Sequence, residues 1–445
     1  MTIGLPAART IARFKGWRAL RHRNYRLFFS GQLVSLVGTW MQAVAQSWLV
    51  LQLTGDPLLL GVVAAAQFTP VLILGLFGGL IADHVPKRKT LIATQTGSML
   101  LAFALFGLSA THQVQVWHVL VLALGVGCVN AIDMPTRQAF AVEMVGREDI
   151  GNAVALNSAM FNGARVLGPA IAGLTIGAFG VEVAFLVNGV SFLAVIGGLL
   201  LMRDSELRPP PRMPRPTSLA AVIENLAEGL RYVRLTKPVL LAVLVIGLVS
   251  TFGMNFTVLL PPFTQVVLRS DAAGYGFLMA ATGVGSLVAA LAIAFSGRTT
   301  PMVIGAGALV LGLFELVLGA TTSYPIALGA MFLVGVGGIS MAATANTVIQ
   351  LTVPDRLRGR VMSVYTTVFA GSTPLGGLLM GGVASGFGPA MAMLVGGTAS
   401  GLTGLAAIAW LRRARTVMPT VAVTRASAGA GVEAATGTMR TITPR

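Results

Sequence analysis

The chain has 445 residues, of which 55% are hydrophobic and only 10% charged, and it carries a formal net charge of +16. Soluble domains hold roughly a quarter charged residues, so this composition excludes a water-facing globule. Its Lys and Arg flank apolar runs instead of gathering on one folded face, which excludes a nucleic-acid binder. The 54 glycines exceed the usual ~7% of a chain, as close helix packing in lipid requires. The single cysteine, Cys128, lies inside an apolar run as a small packing residue, so no disulfide framework or Cys metal cluster is expected.

Residues 1–26 form a basic segment with Phe14 and Trp17 and no small-residue cleavage site, and are expected to be retained in the cytoplasm. Apolar runs long enough to cross ~30 Å of hydrocarbon at 1.5 Å per residue then follow. The first six are Leu27–Leu51, Leu58–Ala82, Leu91–Ala110, Val116–Met134, Ala153–Ala178 and Ala184–Met202. The second six are Val239–Pro262, Gly274–Ser296, Pro301–Gly319, Pro325–Leu351, Val361–Phe387 and Ala390–Leu411. None shows the polar alternation of a barrel strand, so the fold expected is an all-α membrane protein of twelve transmembrane helices. The helices form two six-helix bundles, over 27–202 and 238–412.

Between the bundles, 203–237 is expected to be a cytoplasmic linker. Its stretch from Pro209 to Pro216 is extended, and Ser218 can cap a helix with Leu219, Val222, Ile223, Leu226, Leu230 and Val233 on one face. That helix either lies flat at the membrane interface or packs as a soluble helix beneath the bundle. The Ala/Thr/Gly/Arg-rich tail, 413–445, is expected to be disordered. With the N-terminus inside, 29 of the 31 Lys and Arg fall on the cytoplasmic side, leaving Arg269 outside and Arg165 within a helix. The positive-inside rule therefore predicts a multi-pass protein of the cell (inner) membrane with both termini cytoplasmic.

The halves repeat each other. A shift of 208 residues lays Val145, Gly151, Leu167, Gly168, Gly173, Phe179 and Gly180 on Val353, Gly359, Leu375, Gly376, Gly381, Phe387 and Gly388. A shift of 215 lays Gly61, Ala65 and Ala66 on Gly276, Ala280 and Ala281. Six helices is an even number, so these are parallel repeats about an axis along the membrane normal, an architecture that places a cavity between the halves.

The loop after the second helix, from Gly79 through Asp83 to Lys89, resembles the G-x-L-a-D-r-x-G-r-k loop of the major facilitator superfamily. Gly79, Asp83, Lys87 and Arg88 match it, whereas His84 and Pro86 replace Arg and Gly. The resemblance implies that Asp83 braces a cytoplasmic gate against the start of the eleventh helix, expected near Gly359–Val361, and nearby Arg. The gate set is then Gly79, Asp83, Lys87, Arg88, Arg137, Gly359 and Arg360. In the fifth helix, Gly163, Gly168, Pro169 and Gly173 resemble the superfamily's antiporter motif, with Ala172 where a Gly is usual. Over roughly 21–412 the subgroup that the chain most resembles is the third drug:proton antiporter branch, of macrolide-efflux-like and siderophore-exporter-like proteins.

Charges at membrane depth call for a reason, because an Arg at a helix centre costs about 2.5–3.5 kcal/mol or more. Arg165 is either a cavity cation, holding an anionic substrate group or a carboxylate that protonation releases, or it is satisfied structurally by an ion pair or carbonyls. Asp133 and Arg137, four apart, suit an ion pair, while Asp133 is also a candidate proton carrier beside Glu315. Snorkelling toward the outer headgroups is the plainer reading of Glu315. Trp40, Gln42, Gln46, Arg165 and Asn255 are the candidate cavity residues for a bulky organic molecule.

No P-loop occurs, no G-x-S-x-G occurs, and His22, His84, His112 and His118 are scattered. The expected role is therefore not enzymatic, and no cofactor or metal is expected. The chain is expected to work as a monomer in the lipid bilayer, exporting a small organic molecule such as a drug-like compound or siderophore by proton-coupled antiport. A same-fold importer or lipid transporter is the alternative, and a non-transporting receptor fits least.

Overall fold

Backbone polar groups in lipid must be satisfied within the segment, and every long apolar run of this chain answers that demand as a helix. The structure, a computed structural model, describes residues 15–208, 219–296 and 300–413, with side chains given there except at 15, 16, 76–84, 147 and 219–223. Most of the basic N-terminal segment, the proline run and the tail therefore lie outside the described residues, as does the Asp83 side chain.

A 3₁₀ turn, Lys15–Arg21, leads into α1 (Arg23–Thr54), α2 (Pro57–His84), α3 (Lys87–Ala110), α4 (Val116–Phe179) and α5 (Val181–Leu200). After the linker come α6 (Leu219–Leu235), α7 (Lys237–Phe252), α8 (Phe256–Pro262), α9 (Ala272–Ser296) and α10 (Met302–Ala320). α11 (Tyr324–Thr352), α12 (Asp355–Phe387) and α13 (Pro389–Arg413) complete the second half.

Three boundaries differ from expectation. α4 runs 64 residues as two limbs hinged at Gly146, whose φ of 71° suits a residue without Cβ. Eleven helical segments, not twelve, are long and apolar enough to cross a membrane among the described residues. The limb after Gly146 is not one of them, although it is helical to Phe179, because Asn162, Arg165 and Pro169 dilute its apolar character. The expected seventh helix breaks at Gly253–Asn255 into α7 and α8, then widens into a π turn, Phe263–Val267, after the donorless pair Pro261 and Pro262.

Glycine sets the way the halves meet. A Cβ on Gly61 of α2 would lie 2.1 Å from the Gly377 carbonyl oxygen of α12, and one on Gly276 of α9 would lie 2.4 Å from that of Pro169 in α4. The 208 and 215 shifts make these the same contact twice, with Pro169 equivalent to Gly377 and Gly61 to Gly276. Gly173 against Ala272 and Ala273, and Gly381 against Pro57 and Leu58, extend the two seams identically. Even the turns after α4 and α12 match, Gly180 at φ 91° and Gly388 at φ 89°.

Both seams lie in the half of the bundle away from the described termini. The α4–α9 seam ends at Arg165 and Val166 against Gly283. Toward the terminal end, Gly75, Gly151, Gly163 and Gly359 have no neighbour within 4 Å of a would-be Cβ. The molecule is thus sealed at the far end and cleft at the terminal end. Trp48 of α1 stacks on Tyr275 of α9, ring centroids 6.1 Å apart and both rings buried, as part of the seal.

At the terminal end each half is tied to itself. Lys87 meets Glu143 at 2.8 Å, and Arg88 meets Asp204 at 2.6 Å while donating to the carbonyls of Leu199 and Leu200. In the second half, α6 lays Gly229 and Val233 under the bundle, and its Glu228 pairs with Arg360. Leu230, expected on that packed face, is exposed. The N-terminal turn docks through Asp149, whose carboxylate accepts from His22 at 2.9 Å and pairs with Arg18 at 3.3 Å. The His22 hydrogen bond, aided by the charges of Arg18 and His22, holds that carboxyl below its usual range against the opposing effect of burial.

A depressed carboxyl contributes docking that is present above its unfolded value, about 3.9, and lost as pH falls through the lower folded one. Trypsin should therefore spare Arg18 and Arg21 at neutral pH, and Asp149→Asn should expose them there. Equal cleavage of the two proteins at neutral pH would remove this role from Asp149.

Candidate substrate site

The cleft between the halves narrows to a vertex where the α4–α9 seam begins, and Arg165 stands there. Its backbone carbonyl abuts Gly283, while its guanidinium lies 6.0 Å from the ring centre of Trp40, within cation–π range. Trp40 is braced in turn by Phe161 of the same limb, edge to face at 5.8 Å. Gly168 lets this happen: a Cβ there would strike the Trp40 Cβ at 2.4 Å. The antiporter-like residues therefore have separate duties. Gly168 seats α1, while Pro169 and Gly173 form the far seam and Gly163 faces open space.

Arg165 forms no hydrogen bond or ion pair with any described residue. Of the readings open to it, the carboxylate partner and the carbonyl cradle are both absent among the described residues. Asp133, by contrast, is fully engaged. Its Oδ1 accepts from Thr94 Oγ1 and Gln95 Nε2, each at 2.8 Å, and its Oδ2 pairs with Arg137. Burial to 1% exposure makes that group a junction of α3 and α4, not a cleft residue.

Glu315 overturns the snorkelling reading. It is 0% exposed, buried inside the second half instead of reaching outward. Its Oε2 is 3.5 Å from Ser400 Oγ, and Oε1 has no hydrogen-bond partner. A Cβ on Gly253, at the α7–α8 break, would lie 2.9 Å from Oε2. A buried acid thus presses on the one interrupted helix of the described bundle.

The remaining cavity candidates divide. Gln46 reaches Gln67 of α2 at 3.5 Å, leaving both weakly held. Gln42 accepts from Asn188 Nδ2 at 2.6 Å and so binds α1 to α5 instead of joining Trp40. Asn255 is 4% exposed and caps the break by donating to the Thr251 carbonyl at 2.7 Å. A shift of 215 makes Asn255 the counterpart of Trp40, so the broken α7–α8 is the repeat of the intact α1 that holds the ring.

The gate set also reads differently in place. α12 starts at Asp355, more than a turn before Gly359–Val361, so its positive end already carries an acid of its own, Asp355, paired with Arg358 at 2.6 Å. Lys87, Arg88, Arg137 and Arg360 all pair within their own halves. Pro86, replacing the usual Gly, caps α3 at φ −56°. Sequence reasoning does not single out Tyr275, Thr94 or Gln95. Nothing in a lone Tyr, or in a Thr-Gln pair within an apolar run, distinguishes them locally.

Comparisons with known proteins agree with this architecture. The chain is 26% identical over 369 residues to the staphyloferrin A transporter of Staphylococcus aureus, covering 82% of this chain and 90% of that protein. It is 29% identical over 393 residues to the multidrug efflux pump Tap of Mycolicibacterium fortuitum, covering 86% and 94%. Among solved structures, a point mutant of the peptide transporter POT superposes with a TM-score of 0.71 at 12% identity, covering 88% of this chain and 94% of that one, a likeness of fold. Residues 14–425 match the transmembrane secretion effector family, and the chain is a member of that family of major facilitator transporters.

Proposed function

We propose that this protein exports a small organic molecule by alternating access, with the terminal end in the cytoplasm and protons as the counter-ion. The observation that carries the reading is the pair of symmetry-related glycine seams sealing one end while the other stays cleft down to Arg165. Two like halves that touch along two equivalent seams can rock about them, exchanging which end is shut. The concentration of Lys and Arg at the terminal end orients it to the cytoplasm, so the cleft loads from inside. Relatives named as a siderophore transporter and a multidrug pump support export. In the opposite state, the end of α2 that carries Gly79 and Asp83 closes on the start of α12 near Gly359, and Arg360 exchanges Glu228 for that contact.

The test is retention in cells. Collapsing the proton gradient should raise the retained amount of an exported compound in cells making this protein, with no change in cells that lack it. Unchanged retention across a broad panel of compounds removes the proposal.

For coupling, Glu315 is favoured over Asp133, because Asp133 is committed to Arg137 and two donors whereas Glu315 has no cation to hold it. Taking up or releasing a proton there would change the packing at Gly253 and so the bend between α7 and α8. Glu315→Gln should cut proton-driven transport about tenfold or more, the effect of a ~1.4 kcal/mol coupling, while substrate exchange without a gradient continues. Full proton-driven transport by that variant would move the coupling elsewhere.

A further inference from the structure

The vertex of the cleft carries one charge, and it is positive. Of the acids among the described residues only Asp133 and Glu315 lie at membrane depth, and neither faces the cleft: one is held against α3 and α4, the other is sealed within the second half. The other described acids sit near helix ends, in connections or in α6, at Asp56, Glu182 and Asp271 on the far side and around Glu143 and Asp149 on the terminal side. Arg165 therefore stands in the cleft with no anion among the described residues to answer it.

A guanidinium at this depth is costly unless something compensates it. The Trp40 ring supplies part of that compensation through its face. The five N–H donors of the guanidinium fork have no hydrogen-bond partner among the described residues, and their geometry matches a carboxylate bidentately. A site built for cationic drugs would present the reverse, an acid beside the aromatic rings.

We propose that the substrate is an organic anion whose carboxylate is gripped by Arg165, with an apolar or aromatic body laid against Trp40 and Phe161. The inference rests on the transport reading but concerns binding, so it can fail alone. Emptying of the site also follows: rocking about the seam breaks the Gly283 contact at Arg165, moving the cation and its anion from one opening to the other.

Two fluorescent xanthene dyes of opposite charge, 5-carboxyfluorescein and rhodamine 123, test the assignment by fluorescence polarisation on the purified full chain. The wild type should bind the anionic dye in preference to the cationic one. Arg165→Gln should weaken anionic binding roughly 10- to 100-fold, the range for loss of a charged hydrogen bond, and Arg165→Lys should fall between. Arg165→Gln should elute from a sizing column as the wild type does. If that variant aggregates, Arg165→Lys and Trp40→Ala, each expected to weaken anionic binding, carry the test. Preference for the cationic dye, no binding of either, or equal anionic binding by wild type and Arg165→Gln would overturn the proposal. Cationic-dye export in cells alongside any of these results would leave the export reading standing.

Discussion

Oxidising a Gly177→Cys/Ala273→Cys protein stops transport, and a thiol reductant restores it. A Cβ on Gly177, at the far end of α4, would lie 4.0 Å from that of Ala273 at the start of α9, inside the ~3.5–4.5 Å that a disulfide spans. Gly177 is exposed, so oxidant reaches it. A pair in the other seam, Gly377→Cys with Ala64→Cys, would have its Cβ atoms 3.7 Å apart and should behave alike. Cys128, the single native thiol, is replaced by Ala in both. Either bond staples one seam shut, and a carrier that must part its seams cannot complete a cycle. Transport in everted vesicles should drop below about a tenth of the reduced rate, as for a two-state carrier denied one state. Continued turnover with the cross-link complete would mean that the seams are not where the halves part.

Replacing Asp133 with Ala should be the most destabilising single change in the first half. It leaves Gln95 Nε2 and Arg137 without their acceptor in a site that is 1% exposed, while Thr94 Oγ1 keeps the Leu91 carbonyl at 3.1 Å. Breaking a buried pair this way costs about 3–5 kcal/mol. The Arg137 side chain is 27% exposed and can partly turn to solvent, which puts the expectation near 3 kcal/mol. Asp133→Asn keeps an acceptor oxygen for Thr94 and Gln95 and should lose less. The measurement is the thermal midpoint of the purified protein, with transport assayed beside it. Wild-type stability in the Ala variant, with transport lost, would return Asp133 to the list of proton carriers.

The helix positions were legible because they follow from local rules. A run of about 20 apolar residues in lipid has one way to satisfy its backbone, and the repeat shifts alone place Gly168, Gly173 and Gly180 on Gly376, Gly381 and Gly388. The Asp133–Arg137 pair was legible for the same reason, being four residues apart on one helix. The α7–α8 break was missed although Gly253 and Asn255 stand in its sequence, since glycine is abundant throughout and most of it packs without breaking a helix. The twelfth span falls short on apolarity because it is the limb that carries Arg165.

The sequence by itself therefore determined a two-fold helical membrane protein and the few places where charge enters it. Tertiary structure decided what each polar group meets: Gln42 with Asn188 across 146 residues, Glu315 with Ser400 across 85, and Arg165 with no anion among the described residues. It also decided which end is open. The reason is rotational. A helix that is apolar on every side has no stripe to set the way it turns toward its neighbours, so its partners emerge only when close glycine contacts lock the bundle together.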